Sequence, residues 1–219
     1  MTWDWSYALQ TLPALLGGVL TTLVVTVLCA GIALLLGLAL AVLFKLLPSG
    51  VGFVLRLPIE LIKTLPALVI LFFGFYGLPQ VGITLPALPL GVIVLGTIYA
   101  AYCFEVYRGG FESIPQGMRD AAHALGLSRF TTWSRILVPM VVRASMPALL
   151  NYVLVLYRQS ALLFAIGVPV ILTAAQVVGY QYFRYLEPYT LAGVIYLVSN
   201  IPLAIFLRRY EKRNRNAHV

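Results

Sequence analysis

Long uncharged runs alternate with short charged segments along the whole chain, and this pattern predicts several membrane-spanning helices. No charged residue occurs between Trp5 and Phe44. The second half of this run, residues 19–44, exceeds the roughly 20 residues that a spanning helix needs. The run ends at Lys45, and Pro48 follows. The sequence therefore predicts a first span over residues 19–44.

The remaining apolar runs predict four more spans and one partial element. The second span, residues 53–77, must include Glu60 and Lys63, because the uncharged part after them is too short to cross alone. These two charges can pair on one face of a helix. The other predicted elements are spans over 90–107, 136–157 and 189–207 and a partial or broken element over 160–178.

The basic residues indicate the orientation. The chain has 15 Lys and Arg against 7 Asp and Glu, a net charge of +8, and such an excess marks the cytoplasmic side of membrane proteins. If residues 160–178 do not cross, the polar segment 108–135 and the basic tail 208–219 lie on one side. We therefore predict an all-α integral membrane protein with five transmembrane helices, an outer N-terminus and a cytoplasmic C-terminus. A tight hairpin at residues 167–169 would instead give six spans.

Composition excludes several classes of protein. Hydrophobic residues make up 61% of the chain and charged residues 10%, whereas soluble domains carry roughly 25% charged residues. A soluble enzyme, a disordered chain and a secreted miniprotein are therefore excluded. Cys29 and Cys103 lie in apolar runs, and His123 and His218 are far apart, so we predict neither a disulfide nor a metal site. The basic excess is explained by the membrane, and we predict no nucleic-acid partner.

A short helix is predicted in the polar segment, between Pro115 and Gly126. Proline is favoured in the first turn of a helix, and glycine lets the chain turn at a helix C-terminus. Ala121 and Ala122 lie between them, and Pro139 can start the next span. Such a helix could dock in a groove of another protein or stabilise the bundle from its surface. The spacing alone leaves both open.

The residues of this segment also form a recognisable motif. Asp120-Ala121-Ala122 is followed after three residues by Gly126, and after nine more by Ile136-x-x-Pro139. This arrangement closely resembles the coupling loop of ABC importer permeases, usually written E-A-A-x-x-x-G followed by I-x-L-P. Asp120 stands where the family has glutamate and keeps the charge.

Other segments resemble a narrower group, the permeases for polar amino acids and related solutes. That group includes the histidine, glutamine and arginine types and ectoine-type relatives. The matching segments are residues 75–79, 101–117 and 186–196. The whole match runs in colinear order from about residue 15 to residue 212, and it resembles an ABC importer permease subunit of the polar amino acid uptake family.

The resemblance implies one permease domain over residues 1–219, with the coupling loop at about 109–138 and a basic cytoplasmic tail at 208–219. It implies a multi-pass protein of the cytoplasmic (inner) membrane of a prokaryote. Such a subunit forms a path for its solute and is not an enzyme. Nothing in the chain resembles a phosphate-binding Gly-x-x-x-x-Gly-Lys-Ser/Thr loop, so the energy is expected from a separate ATPase.

The resemblance also implies the partners. These are two copies of an ABC ATPase that bind ATP and Mg²⁺, a second permease subunit (homologous or identical), an extracytoplasmic solute-binding protein and membrane lipid. No cofactor is expected on this chain. The residues expected to couple the chain to the ATPase are Arg119, Asp120, Ala121, Ala122, Gly126 and Pro139.

Ionisable residues at membrane depth are costly and therefore point to function. Two local pairs, Glu60–Lys63 and Glu105–Arg108, could equally be structural. The family often has aspartate where this chain has Gln159, which argues against a cationic amino acid as the solute. A polar amino acid or a related zwitterion such as ectoine or hydroxyectoine is expected. The candidate residues of the substrate pathway are Thr64, Tyr102, Glu105, Arg158, Gln159 and Ser160.

A secondary transporter or channel subunit is the alternative function, and a membrane scaffold without a pathway is the third. Many secondary transporters are built from internal repeats, and the chain has no convincing duplication. A scaffold would leave the charges at membrane depth unexplained.

Overall fold

All regular secondary structure is helical in residues 3–215, the part of the chain that the computed structural model describes. The predicted all-α class is thereby confirmed. Two stretches of π-helix (Phe73–Gly77, Thr132–Leu137) and two of 3₁₀-helix (Leu78–Val81, Ser160–Ile166) join the α-helices. The α-helices are α1 (Trp5–Leu46), α2 (Ser49–Thr64), α3 (Ala67–Phe72), α4 (Ala87–Glu112), α5 (Gln116–Ala124), α6 (Arg129–Thr131), α7 (Val138–Gln159), α8 (Ile171–Tyr182) and α9 (Leu186–Arg215).

Helix α1 is much longer than the predicted first span. Its 42 residues correspond to about 63 Å at 1.5 Å per residue. It begins at Trp5 because Asp4 caps it, accepting hydrogen bonds from the backbone N–H groups of Ser6 and Tyr7. The prediction placed only the second half of this uncharged run in a span. The run has no breaker strong enough to end the helix earlier, although Pro13 lies within it.

Helix α4 packs along the second half of α1 and runs in the same direction. A Cβ added to Gly96 would lie 2.8 Å from Cβ of Ile32, and one added to Gly37 would lie 2.7 Å from Cβ of Cys103. Further along both helices, Lys45 Nζ lies 3.2 Å from Glu112 Oε1. The end of the bundle at Lys45 is called the Lys45 end below, and the other is called the Asp4 end.

Helix α7 packs against α4 in the opposite direction. The rings of Phe111 and Trp133 lie 5.4 Å apart near the Lys45 end, and the rings of Tyr102 and Tyr152 lie 5.6 Å apart further along. The first hydrophobic core lies among α1, α4 and α7. Its largest fully buried side chains include Phe104 and Phe111.

Helices α8 and α9 pack against the first half of α1 around a second, smaller core. This core is built on Leu15, Ile171, Ala175 and Ala192. Helix α8 has 12 residues, about 18 Å, and runs from the level of Gly18 to the Asp4 end. Helix α9 starts at the Asp4 end and runs in the direction of α1.

Salt bridges tie the helices together at the Asp4 end. Arg184 Nη1 lies 3.0 Å from Asp4 Oδ2, and its Nη2 lies 2.5 Å from Glu187 Oε1. The same guanidinium lies 4.7 Å from the centre of the Tyr7 ring. Hydrogen bonds from the Ser6 hydroxyl, the Tyr7 amide and Arg184 lower the pKa of Asp4 from 3.8 to about 2. Asp4 is therefore charged at every physiological pH.

The predicted second span, over residues 53–77, is bent and is not one continuous helix. The helical stretches Gly50–Thr64 and Ala67–Val81 meet at an angle of 100°. The bend falls at Leu65-Pro66, where Leu65 is extended (φ −79°, ψ 139°). Proline disfavours the α conformation in the residue before it and has no N–H to continue the helix.

The next span also begins differently from the prediction. Ser128 caps α6 by accepting a hydrogen bond from the Thr131 N–H, and the π-helical segment then leads into α7 without a break. The helical stretch Arg129–Ile166 is thus continuous over 38 residues. It begins at Arg129, two short helical segments before α7 and Pro139, because the serine cap supplies the start signal.

Three helical stretches in the described part of the chain are long and apolar enough to cross a membrane, or four if the bent pair counts as one span. They are Trp5–Leu46, Ala87–Glu112 and Arg129–Ile166. The predicted span over 189–207 lies in α9. The basic tail is helical to Arg215, and its residues 216–219 lie outside the described part. The prediction of five spans remains a prediction.

The partial element predicted over 160–178 is broken in the structure. The 3₁₀ segment ends at Ile166 and is capped by Gly167, whose φ of +78° suits glycine. Helix α8 then starts at Ile171. The Ile171 N–H at the start of α8 donates to the Thr22 hydroxyl over 3.2 Å. A Cβ added to Gly18 would lie 2.7 Å from that same nitrogen. The start of α8 therefore rests directly on the backbone of α1.

Replacing Gly18 by alanine should destabilise the protein by about 1–3 kcal/mol, the usual cost of overpacking, because backbone atoms block the new methyl group. The control is Gly17→Ala, since a Cβ at Gly17 meets no atom within 4 Å and alanine favours a helix by about 1 kcal/mol. Thermal unfolding of the purified variants in detergent measures both. A Gly18→Ala variant as stable as Gly17→Ala would contradict the close contact.

Candidate functional site

The short helix predicted in the polar segment is present as α5, at the Lys45 end. It follows Pro115 and ends at Ala124, and Leu125 caps it. The next residue, Gly126, has a φ of +67°. The N–H of Gly126 donates to the His123 carbonyl (3.0 Å), and the N–H of Leu127 donates to the Ala122 carbonyl (3.2 Å). Such bonds satisfy the last carbonyls of a helix. Local signals therefore fix both ends of α5.

The six predicted coupling residues do not share one surface. Asp120, Ala121 and Gly126 are exposed. Ala122 is only 3% exposed, and Arg119 donates to the Phe111 carbonyl over 3.1 Å. Adjacent positions of a helix differ by about 100°, so a consecutive run cannot all face one way. Ala122 and Arg119 hold α5 against the bundle. Pro139, in α7, is half-buried.

The outward side of α5 carries large apolar side chains that the sequence interpretation missed. Met118, Ala121 and Leu125 are spaced three and four residues apart and lie on one face. Met118 is 39% exposed, Leu125 is 76% exposed, and Phe130 in α6 is 81% exposed. These four residues are called the docking face below. Exposed apolar patches at a polar surface mark contacts with partners. The apolar spacing along residues 118–125 could have revealed this face.

A chain of seven charged residues lies at the Lys45 end and joins α1, α2 and α4. Each neighbour in the chain lies within 3.5 Å of the next, and basic and acidic side chains alternate. In order, the residues are Arg56, Glu60, Lys63, Glu105, Arg108, Glu112 and Lys45.

Glu105 is the centre of this charge chain. Its Oε2 lies 2.8 Å from Arg108 Nη2, and its Oε1 lies 3.5 Å from Lys63 Nζ. Both pairs predicted from local spacing, Glu60–Lys63 and Glu105–Arg108, are therefore present, and Lys63 links them. Partly buried charges need such partners. The arrangement gives Glu105 a structural task in addition to any role in a pathway.

Tyrosine side chains continue from this charge chain along the interface of α4 and α7. Tyr102 stacks on Tyr152 and donates a long hydrogen bond to the Lys63 carbonyl (3.5 Å). Gln159 lies seven residues after Tyr152, two turns along the same face of α7. Glu105, Tyr102, Tyr152 and Gln159 are all half-buried and are called the polar track below. The sequence interpretation missed Tyr152, although its spacing to Gln159 is a helical one.

The other predicted pathway residues are less suitably placed. The Thr64 hydroxyl donates to the Glu60 carbonyl over 2.9 Å and lies near the bend after α2. Ser160 is 1% exposed, and its hydroxyl donates to the Tyr157 carbonyl over 2.7 Å. Arg158 is exposed. The structure thus brings Tyr102 and Glu105 together, aligns Gln159 with them, and commits the Ser160 hydroxyl to its own helix.

Comparison with known proteins gives full-length relatives. The chain is 35% identical over 212 residues to the probable amino-acid ABC transporter permease protein y4tG of Sinorhizobium fredii, covering 94% of this chain and 92% of that protein. It is 31% identical over 216 residues to the glutamine transport system permease protein GlnP of Escherichia coli, covering 97% and 98%.

Solved structures share the fold. A crystal structure of an amino acid ABC transporter with histidines matches with a TM-score of 0.87 at 30% identity, covering 97% of this chain and 100% of that one. The inward-facing MetNI methionine ABC transporter matches with a TM-score of 0.70 at 17% identity over 90% of this chain and 96% of that one, which shows the fold alone.

Residues 33–216 match the family of binding-protein-dependent transport system inner membrane components. The chain therefore belongs to this family, which confirms its identification as an ABC importer permease subunit.

Proposed function

We propose that this chain is the membrane subunit of an ATP-driven importer of a polar amino acid. It works with a second permease subunit, two ATPase subunits and an extracytoplasmic solute-binding protein. The docking face carries the proposal, because Leu125 and Phe130 are exposed in a polar loop, and a grouped apolar surface there is typical of a contact with a partner protein. The names of the relatives support the solute class, since they describe transport of amino acids and glutamine.

The proposed topology has five spans, with the Lys45 end in the cytoplasm of a prokaryotic cell. Helices α1, α4 and α9 run in one direction and α7 in the other, as five crossings require if the bent pair α2 and α3 crosses once. Basic residues are concentrated at the Lys45 end, where Arg56, Arg108, Arg119 and Arg129 lie, and this supports the orientation.

In the proposed mechanism, ATP binding and hydrolysis on the partner ATPase supply the work, and this chain transmits it. The ATPase binds the docking face. Ala122 and the Arg119–Phe111 hydrogen bond carry the motion from α5 to the end of α4. The charge chain then passes it to α1 and α2, because rigidly paired groups move together. No bond in the solute is made or broken.

The polar track is the proposed substrate pathway. Tyrosine hydroxyls and the Gln159 amide can bind the carboxylate and the ammonium of a zwitterion. These side chains are only half-buried within this chain, and half-buried polar groups at membrane depth face a cavity or a partner. A second permease subunit, identical or homologous, would complete the path. The neutral Gln159 favours a zwitterion without net charge, and ectoine remains in the same chemical class.

ATP-dependent uptake tests the function. The chain is reconstituted in vesicles with its ATPase and binding protein, and uptake of labelled glutamine, histidine, arginine and ectoine is measured with and without ATP inside. We expect uptake of a neutral amino acid only with ATP. Uptake driven by an ion gradient in the absence of the ATPase would instead identify a secondary transporter.

Leu125→Glu should weaken assembly with the ATPase about 30-fold and reduce uptake with it, because a central apolar contact in an interface contributes about 2 kcal/mol. Gln116→Glu is the control, since Gln116 is also exposed but lies on the other side of α5. Co-purification with the ATPase and uptake in vesicles measure the effect. If both variants assemble equally well with the ATPase, the docking face is not the surface that binds it.

Gln159→Asp should shift selectivity toward cationic amino acids, because a carboxylate in the polar track attracts a cation and repels the carboxylate of every substrate. We expect the ratio of arginine to glutamine uptake to rise by about tenfold, which corresponds to about 1.4 kcal/mol. Gln176→Glu makes the same chemical change in α8, away from the polar track. A ratio that rises equally in both variants, or in neither, would remove Gln159 from the pathway.

A further inference from the structure

A basic cavity lies at the Lys45 end between α1, α5 and the segment that leads into α7. Its volume is about 300 Å³, and its lining includes Lys45, Leu46, Arg119, His123, Arg129 and Trp133. We propose that this cavity binds the phosphate group of an anionic phospholipid whose acyl chains lie along α1. The proposal concerns a separate site from the polar track and does not depend on the solute that is transported.

The cavity has more positive charge than its own side chains neutralise. Lys45, Arg119 and Arg129 line it, and no carboxylate is among the described lining residues. Lys45 shares its only described carboxylate, Glu112, with Arg108. Arg129 forms no salt bridge with a described acidic residue. A phosphate group accepts hydrogen bonds from several such donors at once.

Arg119 contributes an oriented guanidinium to the lining of the cavity. One of its terminal nitrogens donates to the Phe111 carbonyl, which fixes the guanidinium in place. Its Nε atom is buried and has no hydrogen-bond partner within the described part of the chain. A buried N–H without a partner is costly. The negative charge of a phosphate group in the cavity, which Arg119 borders, would stabilise this guanidinium, which is already oriented.

An apolar track on α1 favours a lipid over a soluble anion or an acidic side chain. Leu46 borders the cavity and is 59% exposed, and Leu35 and Leu43 on the same side of α1 are 73% and 44% exposed. Leu35 and Leu46 are three turns apart on this face. Trp133, a half-buried residue of the cavity lining, belongs to the residue type enriched at membrane interfaces. Basic pockets between helices on the cytoplasmic side are known sites for anionic headgroups.

The test uses the full chain, purified in detergent, and native mass spectrometry with added phosphatidylglycerol or phosphatidylcholine. We expect phosphatidylglycerol to bind at least about tenfold more tightly than phosphatidylcholine. Arg129→Gln should weaken phosphatidylglycerol binding about fivefold, the effect of one basic residue near an anionic headgroup. The double variant Arg119→Gln with Arg129→Gln should weaken it further. Arg135→Gln is the control, because Arg135 is an exposed cation of the same segment that does not border the cavity.

Three results would overturn the proposal. Equal losses in Arg129→Gln and Arg135→Gln would show attraction to general surface charge. Displacement of the lipid by inorganic phosphate at the same concentration would show a site for a soluble anion. Displacement by the bound ATPase would show that an acidic protein surface fills the cavity. Since Arg129 is exposed, the Arg129→Gln variant should fold normally, and its circular dichroism spectrum checks this. If the double variant does not fold, the single variant alone decides the test.

Discussion

Close contact between helices along one face of α1 determines how the other elements are placed. Lipid tails are as apolar as leucine, so helices in a membrane associate through close packing and not through exclusion of water. The buried face of α1 is made largely of small residues, including Gly18, Ala33, Gly37 and Ala41. The start of α8 rests on Gly18, and α4 approaches Gly37 at backbone distance. Both cores, and therefore the site between α4 and α7, depend on this face.

The charge chain follows from the same environment. A partly buried charge without a partner costs free energy. The seven side chains of the charge chain avoid this cost, because acidic and basic groups alternate across three helices. Exposed salt bridges contribute little individually, but the side chains of Lys63 and Glu105 are only 17% and 22% exposed. The chain fixes the relative positions of α1, α2 and α4 where α5 emerges. The proposed transmission of motion relies on that rigidity.

Local signals predicted the parts of the fold that depend on nearby residues. Pro115 and Gly126 marked both ends of α5, and the spacing of Glu105 and Arg108 predicted their pair. The Lys45–Glu112 pair joins positions 67 residues apart, and no local pattern contains that information. Pro66 itself indicates a bend. The predicted second span was nevertheless drawn through it, because the uncharged part alone is too short to cross a membrane. The inward orientation of Ala122 was missed because a sequence motif does not record which side of a helix each residue faces.

The length of α1 has a mechanical consequence. At about 63 Å it is twice the roughly 30 Å of the hydrocarbon layer, so it must lie steeply inclined or extend beyond the bilayer. In the proposed mechanism, an element of these proportions would act as a lever with its pivot near the middle. A rotation of about 5° around that point displaces each tip by about 3 Å, in opposite directions. A small displacement of α1 at the Lys45 end would then produce a displacement in the opposite direction at the Asp4 end.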